Sequence, residues 1–312
     1  MPAGQRHRPL TGVRFDAHPS IDGRRMTEEQ VVALLRTGEV RELGRIPGAS
    51  NDTRLVLVSD DGGTTDAGGG DAPRNAPLRA VLKPAAGERP LADFPFGTLA
   101  AREAAAYALS ASSGADVVPP TVLRTDLPYG PASLQVYVET VDDGDSASFF
   151  LPQDLPEDWA PVFSAQTEDG TPVLVAHATD PEVRMLALFD EIANNADRKG
   201  SHIFRGHYRF DAAASPRVFG IDNGLTFHTE PKVRTVLWGF ADDVFTDAES
   251  TVLESAARVV DAALTGEADG ELGSLLDPAE LGALADRVAH LQHAGRFPLP
   301  PDDRYPIPWP PL

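Results

Sequence analysis

Between residues 27 and 140 the chain has room for one prominent helix among five strand-like runs, and that order limits the fold more than any single motif. Thr27 stands as an N-cap with Gln30 three residues on, the spacing of a capping box. Val31, Leu34 and Leu35 give the short helix that follows an apolar face, and Gly38 ends it. Strand-like runs then fall at Glu39–Ile46 and Thr53–Ser59, joined by the turn segment Pro47–Asp52, with a third at Leu78–Lys83. The Ala-rich stretch Thr98–Ser113, closed by Gly114, is the prominent helix, and Thr121–Arg124 and Ser133–Thr140 read as two more strands. The expected product is an α+β lobe built on a mixed or antiparallel sheet. Residues 60–77, DDGGTTDAGGGDAPRNAP, read as a disordered insertion between two of its strands. Their glycines lack the Gly-Lys-Ser/Thr ending and following helix of a phosphate loop.

The second half has a different texture. Residues 141–179 show no period and read as irregular, after which Asp180-Pro181-Glu182 opens a helix running to Ala193, with Pro at its first position. A polar loop, Asn194–Ser201, leads to short strands around His202–Arg205 and Arg217–Ile221. Beyond residue 236 the pattern is helical, chiefly Ala248–Leu264 and Pro278–His293. Trp238-Gly239-Phe240 reads as core, and His290 and His293 as a solvated helix end. The expected division is a flexible arm over 1–26, a first lobe over 27–140, a mainly helical second lobe over 141–295, and a Pro-rich tail over 296–312. That tail should pack back through Tyr305 and Trp309.

Composition narrows the function classes. Lys and Arg total 27 against 47 Asp and Glu, a net charge of −20, which repels polyphosphate backbones and anionic lipid surfaces. Nucleic acid is therefore not expected as a partner, and with no run approaching 18 apolar residues no stable membrane insertion is expected either. The chain has no cysteine, which removes thiol catalysis, cysteine–zinc sites and disulfides together, and the reading is a cytoplasmic protein. Its only lysines are Lys83, Lys199 and Lys232; where arginine is the default cation, a retained lysine points to chemistry.

Two loops carry that chemistry: Asn194–His202, containing Asp197, and Gly220–Leu225, containing Asp222. Phosphoryl transfer needs one carboxylate to orient an attacking hydroxyl and accept its proton, and another to hold a divalent cation against the phosphates. A kinase catalytic loop places Lys two residues and a metal-binding Asn five residues after its Asp. Here Lys199 and His202 stand at those places, and Asp222 precedes Gly224 as a kinase metal Asp precedes its Gly. Upstream, Lys83 ends a strand and Glu103 lies on the next helix, placed to pair with it. Pro47–Asp52, with Ser50 and Asn51, offers backbone N–H groups and a hydroxyl to phosphate oxygens, and Gln135–Thr140, with Glu139, reads as a hinge between lobes. Each residue alone has a plainer reading: Asp197 as an ion-pair partner of Arg198, Asp222-Asn223-Gly224 as a turn, Lys83 as surface. Their joint chain order favours the site.

Asn195-Ala196-Asp197-Arg198 followed by Ile221-Asp222-Asn223-Gly224-Leu225-Thr226-Phe227 resembles the phosphatidylinositol 3-/4-kinase-like superfamily, especially type II phosphatidylinositol 4-kinases and HipA-like kinases. The whole chain is also similar to an actinobacterial family described as phosphatidylinositol-kinase-like. The resemblance implies a two-lobed protein-kinase-like fold, ATP and Mg²⁺ as cofactors, and a hydroxyl acceptor, a protein Ser/Thr being favoured over a small polar metabolite. It makes Asp197 the catalytic base, Lys199 a contact to the transferring phosphate, Lys83 a contact to the α/β-phosphates, and Asp222 the main metal ligand. His202 departs from the pattern, since Mg²⁺ prefers oxygen and Mn²⁺ tolerates nitrogen better. One-metal catalysis, an altered metal preference, and a pseudokinase that only binds nucleotide all stay open, as does AMP transfer on the same fold.

Overall fold

The computed structural model describes residues 26–49, 51–60, 77–141, 145–208, 215–267 and 271–312. The N-terminal arm up to residue 25, the insertion over 61–76 and Ser50 lie outside the described residues.

Helix α1 (Glu28–Thr37) has the expected capping box, Thr27 and Gln30 each satisfying the other's backbone N–H, and buries Val31, Val32, Leu34 and Leu35. Strands β1 (Glu39–Arg45), β2 (Arg54–Ser59) and β3 (Leu78–Pro84) follow, then helix α2 (Leu99–Ser113) and strands β4 (Thr121–Arg124) and β5 (Ala132–Val136). They form one five-stranded sheet, ordered β1-β2-β3-β5-β4, antiparallel at every junction. β3 alternates buried and half-buried residues, so Leu78, Ala80 and Leu82 enter the core while Lys83 turns to the other face.

The fifth strand-like run, Ser133–Thr140, divides. β5 stops at Val136, and Glu139–Thr140 forms β6, which pairs with the second lobe instead of continuing the first sheet. Helix α2 is fixed across the junction by Arg102, whose guanidinium donates to the Thr226 carbonyl and pairs with Glu280, all three buried.

Residues 141–179 are ordered as a sheet, correcting the irregular reading. β7 (Ala147–Phe150), β8 (Trp159–Gln166) and β9 (Pro172–Ala178) are antiparallel, with β9 central. The strands escape sequence reading because β9 buries three successive residues, Val175, Ala176 and His177, while β8 carries Pro161 at an irregularity in its register. Neither leaves the apolar–polar alternation by which strands are recognised.

Helix α3 (Pro181–Ala193) starts on Asp180, whose side chain accepts from the N–H groups of Glu182 and Val183, and ends on Asn194 in the left-handed conformation. β10 (Ile203–His207) and β11 (Arg217–Gly220) pair with each other and with β6. Helices α4 (Asp247–Thr265), α5 (Leu272–Leu275) and α6 (Pro278–Ala294) complete the second lobe. Trp238 and Phe240 are buried, and His290 and His293 are exposed. The tail does fold back, but Tyr305 and Trp309 stay exposed. Ile307 is the anchor, buried with Val233 and Trp238, and the Pro306 carbonyl accepts from Thr235 N–H and Trp238 Nε1. No described helix is long and apolar enough to cross a membrane.

Candidate active site

The two lobes meet at Lys83. Its Nζ donates to Glu103 Oε1 at 2.5 Å and to Asp222 Oδ1 at 2.8 Å, joining β3, α2 and the loop after β11. Ser133 Oγ, on β5 beside Lys83 in the register, donates to Glu103 Oε2 at 2.7 Å and aims that carboxylate at the lysine. Burial works against the Lys83 charge, yet Asp222 and Glu103 together hold its ammonium above the ordinary range. Lys83 in turn pulls the Asp222 carboxyl well below the usual carboxylate range against the opposing effect of burial, so the site is charged at neutral pH.

A fully buried arginine binds the two Asp loops to each other. Arg198 pairs with Asp190 of α3 through Nε and Nη2, donates from Nη2 to Asn223 Oδ1 at 2.6 Å, and from Nη1 to the Ile221 carbonyl at 2.7 Å. Asn195 Nδ2 donates to Asp190 Oδ1 at 3.0 Å, and its Oδ1 accepts from the Asp197 N–H, also at 3.0 Å. Gly220 leaves room for this clamp: a Cβ there would meet the Arg198 guanidinium at 2.8 Å. Arg198 is therefore committed inward, and Asp197, which the plainer reading assigned to it, pairs with Lys199 at 2.8 Å.

His202 completes the site. Its Nδ1 lies 3.1 Å from the Asp197 carbonyl, which can only accept, so Nδ1 carries the proton. Burial lowers the imidazole's affinity for a second proton, which leaves the Nε2 lone pair facing Asp222 Oδ2 at 3.4 Å. A nitrogen lone pair beside a carboxylate oxygen, with the other ring N–H on a backbone carbonyl, is how a histidine is set to ligate a cation. Among the described residues no three His, Asp or Glu form a preformed metal cage. Asp222 and His202 thus fit an ion that brings its other ligands with it as phosphate oxygens and water.

The remaining expected residues are placed as follows. Asn51 spends its Oδ1 on the Arg89 N–H, and Glu139 pairs with Arg79 of β3. Sequence reasoning missed Arg198, Asp190, Asn195, Asn223 and Ser133. Asp190 had a signal: it falls on the helical stripe Val183, Leu186, Ala187, Asp190, Ala193, where a carboxylate needs a buried partner.

Beside that pair, Glu191 forms no side-chain hydrogen bond or ion pair among the described residues. Burial and then Asp190 push its carboxyl up to about 8, against the opposing pull of Arg304 and Arg287. The folded protein keeps this proton while the unfolded chain releases it near 4.5, so stability falls as pH rises between these values. Glu191→Gln should consequently be more stable than the parent at pH 8 by about 1 kcal/mol or more, and equal to it near pH 3.5, below the unfolded value. Urea unfolding at both pH values measures this; a constant difference would remove the assignment.

A sheet-borne lysine paired with a glutamate on the helix between β3 and β4, above two linked Asp loops, defines a two-lobed α+β fold of the protein-kinase-like class. The chain belongs to the family of Protein Rv2133c of Mycobacterium tuberculosis, with which it is 38% identical over 287 residues, 89% of this chain and 94% of that protein. No protein-family model matches it. Among solved structures it is similar to the Helicobacter pylori proinflammatory kinase CtkA, with a TM-score of 0.40 and 8% identity over 84% of this chain and 94% of that one.

Proposed function

We propose that this chain is an ATP- and divalent-cation-dependent phosphotransferase of the phosphatidylinositol 3-/4-kinase-like and HipA-like kind, acting on a hydroxyl acceptor. The observation that carries the reading is Lys83 held between Glu103 and Asp222, a cation and a carboxylate poised at one point between the lobes. Lys83 would contact the α/β-phosphates. Asp197 would accept the acceptor's hydroxyl proton as its oxygen forms the new bond to the γ-phosphorus, with ADP leaving. Lys199, already on Asp197, would sit against the phosphoryl group in transit. Asp222 and His202 would hold the cation, whose chemistry when bound is to neutralise phosphate charge. Their mixed oxygen–nitrogen donor set favours Mn²⁺ over Mg²⁺. The acidic chain argues against docking on anionic lipid, so a protein Ser/Thr is the favoured acceptor.

The test is thermal stabilisation by ATP with Mg²⁺ and with Mn²⁺, in the parent and in Asp222→Ala. The expected result is a metal-dependent rise in Tm, larger with Mn²⁺ and lost in the variant. No rise with either metal would overturn the reading. The histidine at the metal-side position favours one second reading, a nucleotide-binding pseudokinase. Nucleotide binding without transfer, with transfer gained in His202→Asn, would establish it.

A further inference from the structure

The segment after the Asp222 loop returns along the catalytic loop. Arg234 N–H donates to the Asn195 carbonyl at 3.0 Å, Arg198 N–H to the Arg234 carbonyl at 2.9 Å, and Val236 N–H to the Arg198 carbonyl at 3.1 Å. These bonds make a parallel bridge in which Arg198 stands opposite Thr235. Successive residues of extended backbone alternate in direction, and residues opposite each other point the same way. Arg198 and Thr235 are both buried, at 0% and 3% exposure, so they face inward together. Their predecessors Asp197 and Arg234, both half-buried, therefore share the opposite face.

Arg234 has no side-chain hydrogen bond or ion pair among the described residues. The other cations around it are spent: Arg198 on Asp190, Lys199 on Asp197, Lys232 on Asp93. In a chain of net charge −20, an arginine left without a carboxylate and half-withdrawn from water is short of an anion. Its backbone bonds run to the Asp197 loop and not to Lys83, which is bonded to Asp222. Arg234 thus flanks Asp197 beside the tail, whose Pro306 carbonyl takes the Thr235 N–H and whose Pro311 carbonyl takes the Gly200 N–H.

Resting on the phosphotransferase reading, we propose that Arg234 is an anion subsite for the acceptor: the hydroxyl presented to Asp197 belongs to a protein segment with an acidic side chain close to the accepting Ser or Thr. Arginine suits this because its planar fork takes a carboxylate through two parallel hydrogen bonds. The negative field of the whole chain does not forbid it. Over about 8–10 Å at physiological salt that field is screened, and a guanidinium in contact is not.

The experiment uses the full chain saturated with a non-hydrolysable ATP analogue and metal. Two fluorescent Ser peptides are compared by anisotropy, one with Asp and Glu around the serine and one with Asn and Gln in their places. The acidic peptide should bind about tenfold more tightly, corresponding to about 1.4 kcal/mol. Arg234→Gln should abolish the difference and Arg234→Lys should keep part of it, while the ATP–metal rise in Tm persists in both. Equal binding of the two peptides, a preference that survives Arg234→Gln, or Arg234-dependent binding to phosphatidylserine vesicles in place of the peptide would each overturn the proposal. An absent ATP–metal shift in the parent strikes instead at the phosphotransferase reading, and an Arg234-dependent acidic preference would then stand by itself as a binding site.

Discussion

Asp197→Asn should reduce phosphoryl transfer by about 10²–10⁴-fold and leave the ATP–metal rise in Tm unchanged. The separation follows from how the residue is held. Its main chain is fixed from both sides, the N–H on Asn195 Oδ1 and the carbonyl beside His202 Nδ1, and neither bond involves the carboxylate. Asparagine therefore preserves the loop and the cation-side geometry of Asp222, whose partners are Lys83 and His202. On the proposed mechanism, asparagine removes the ability to take a proton as the acceptor oxygen attacks; it also removes the charge that holds Lys199. Initial rates of radiolabel transfer from ATP, taken beside thermal shifts on the same preparations, measure both halves. Equal rates in parent and variant would remove Asp197 from the chemistry, and a lost nucleotide shift would show that its role is to hold the loop.

The first lobe was largely legible because its rules are local. The capping box at Thr27, the glycine stops at Gly38 and Gly114, and the short strand run Leu78–Lys83 each rest on a few neighbouring residues, and the structure keeps all of them. The sheet over 147–178 was illegible for the converse reason. Its central strand is buried on consecutive residues and an outer one is interrupted by Pro161, so tertiary contact alone makes them strands. The same boundary runs through the site. Asp197, Lys199, His202 and Asp222 stand out because loop carboxylates and scarce lysines at kinase spacing have a chemical meaning in one dimension. Arg198 does not, since it is one of many arginines until α3 brings Asp190 beneath it. Ser133 is likewise an ordinary strand serine until β5 lies against β3 and its hydroxyl reaches Glu103. In this chain the residues proposed to react were readable, while those that position them were set by the fold.

That distinction yields the largest expected effect on stability. Arg198→Met should destabilise the protein by about 3–5 kcal/mol, because it leaves the Asp190 carboxylate buried without its countercharge. Burial already pushes the Asp190 carboxyl upward even with the arginine present, so little else is available to compensate it. Against a total stability of about 5–15 kcal/mol for a typical domain, this is a large fraction. Methionine matches the arginine stem in length and apolar character, so the loss reports the ion pair and its hydrogen bonds more than a cavity. The double variant Asp190→Leu with Arg198→Met should recover most of the stability, since an apolar pair of similar volume replaces a buried charge pair at little cost. It should not recover nucleotide-dependent behaviour. The bonds from Arg198 to Asn223 Oδ1 and the Ile221 carbonyl, which tie the Asp222 loop to the Asp197 loop, are gone in both variants. Urea unfolding of the four proteins in this cycle, with the ATP–metal shift measured on each, separates the two roles. A double variant that regains the nucleotide shift along with its stability would show that Arg198 only fills the core. One that regains stability alone would show that the clamp's function is to hold the two carboxylates in register.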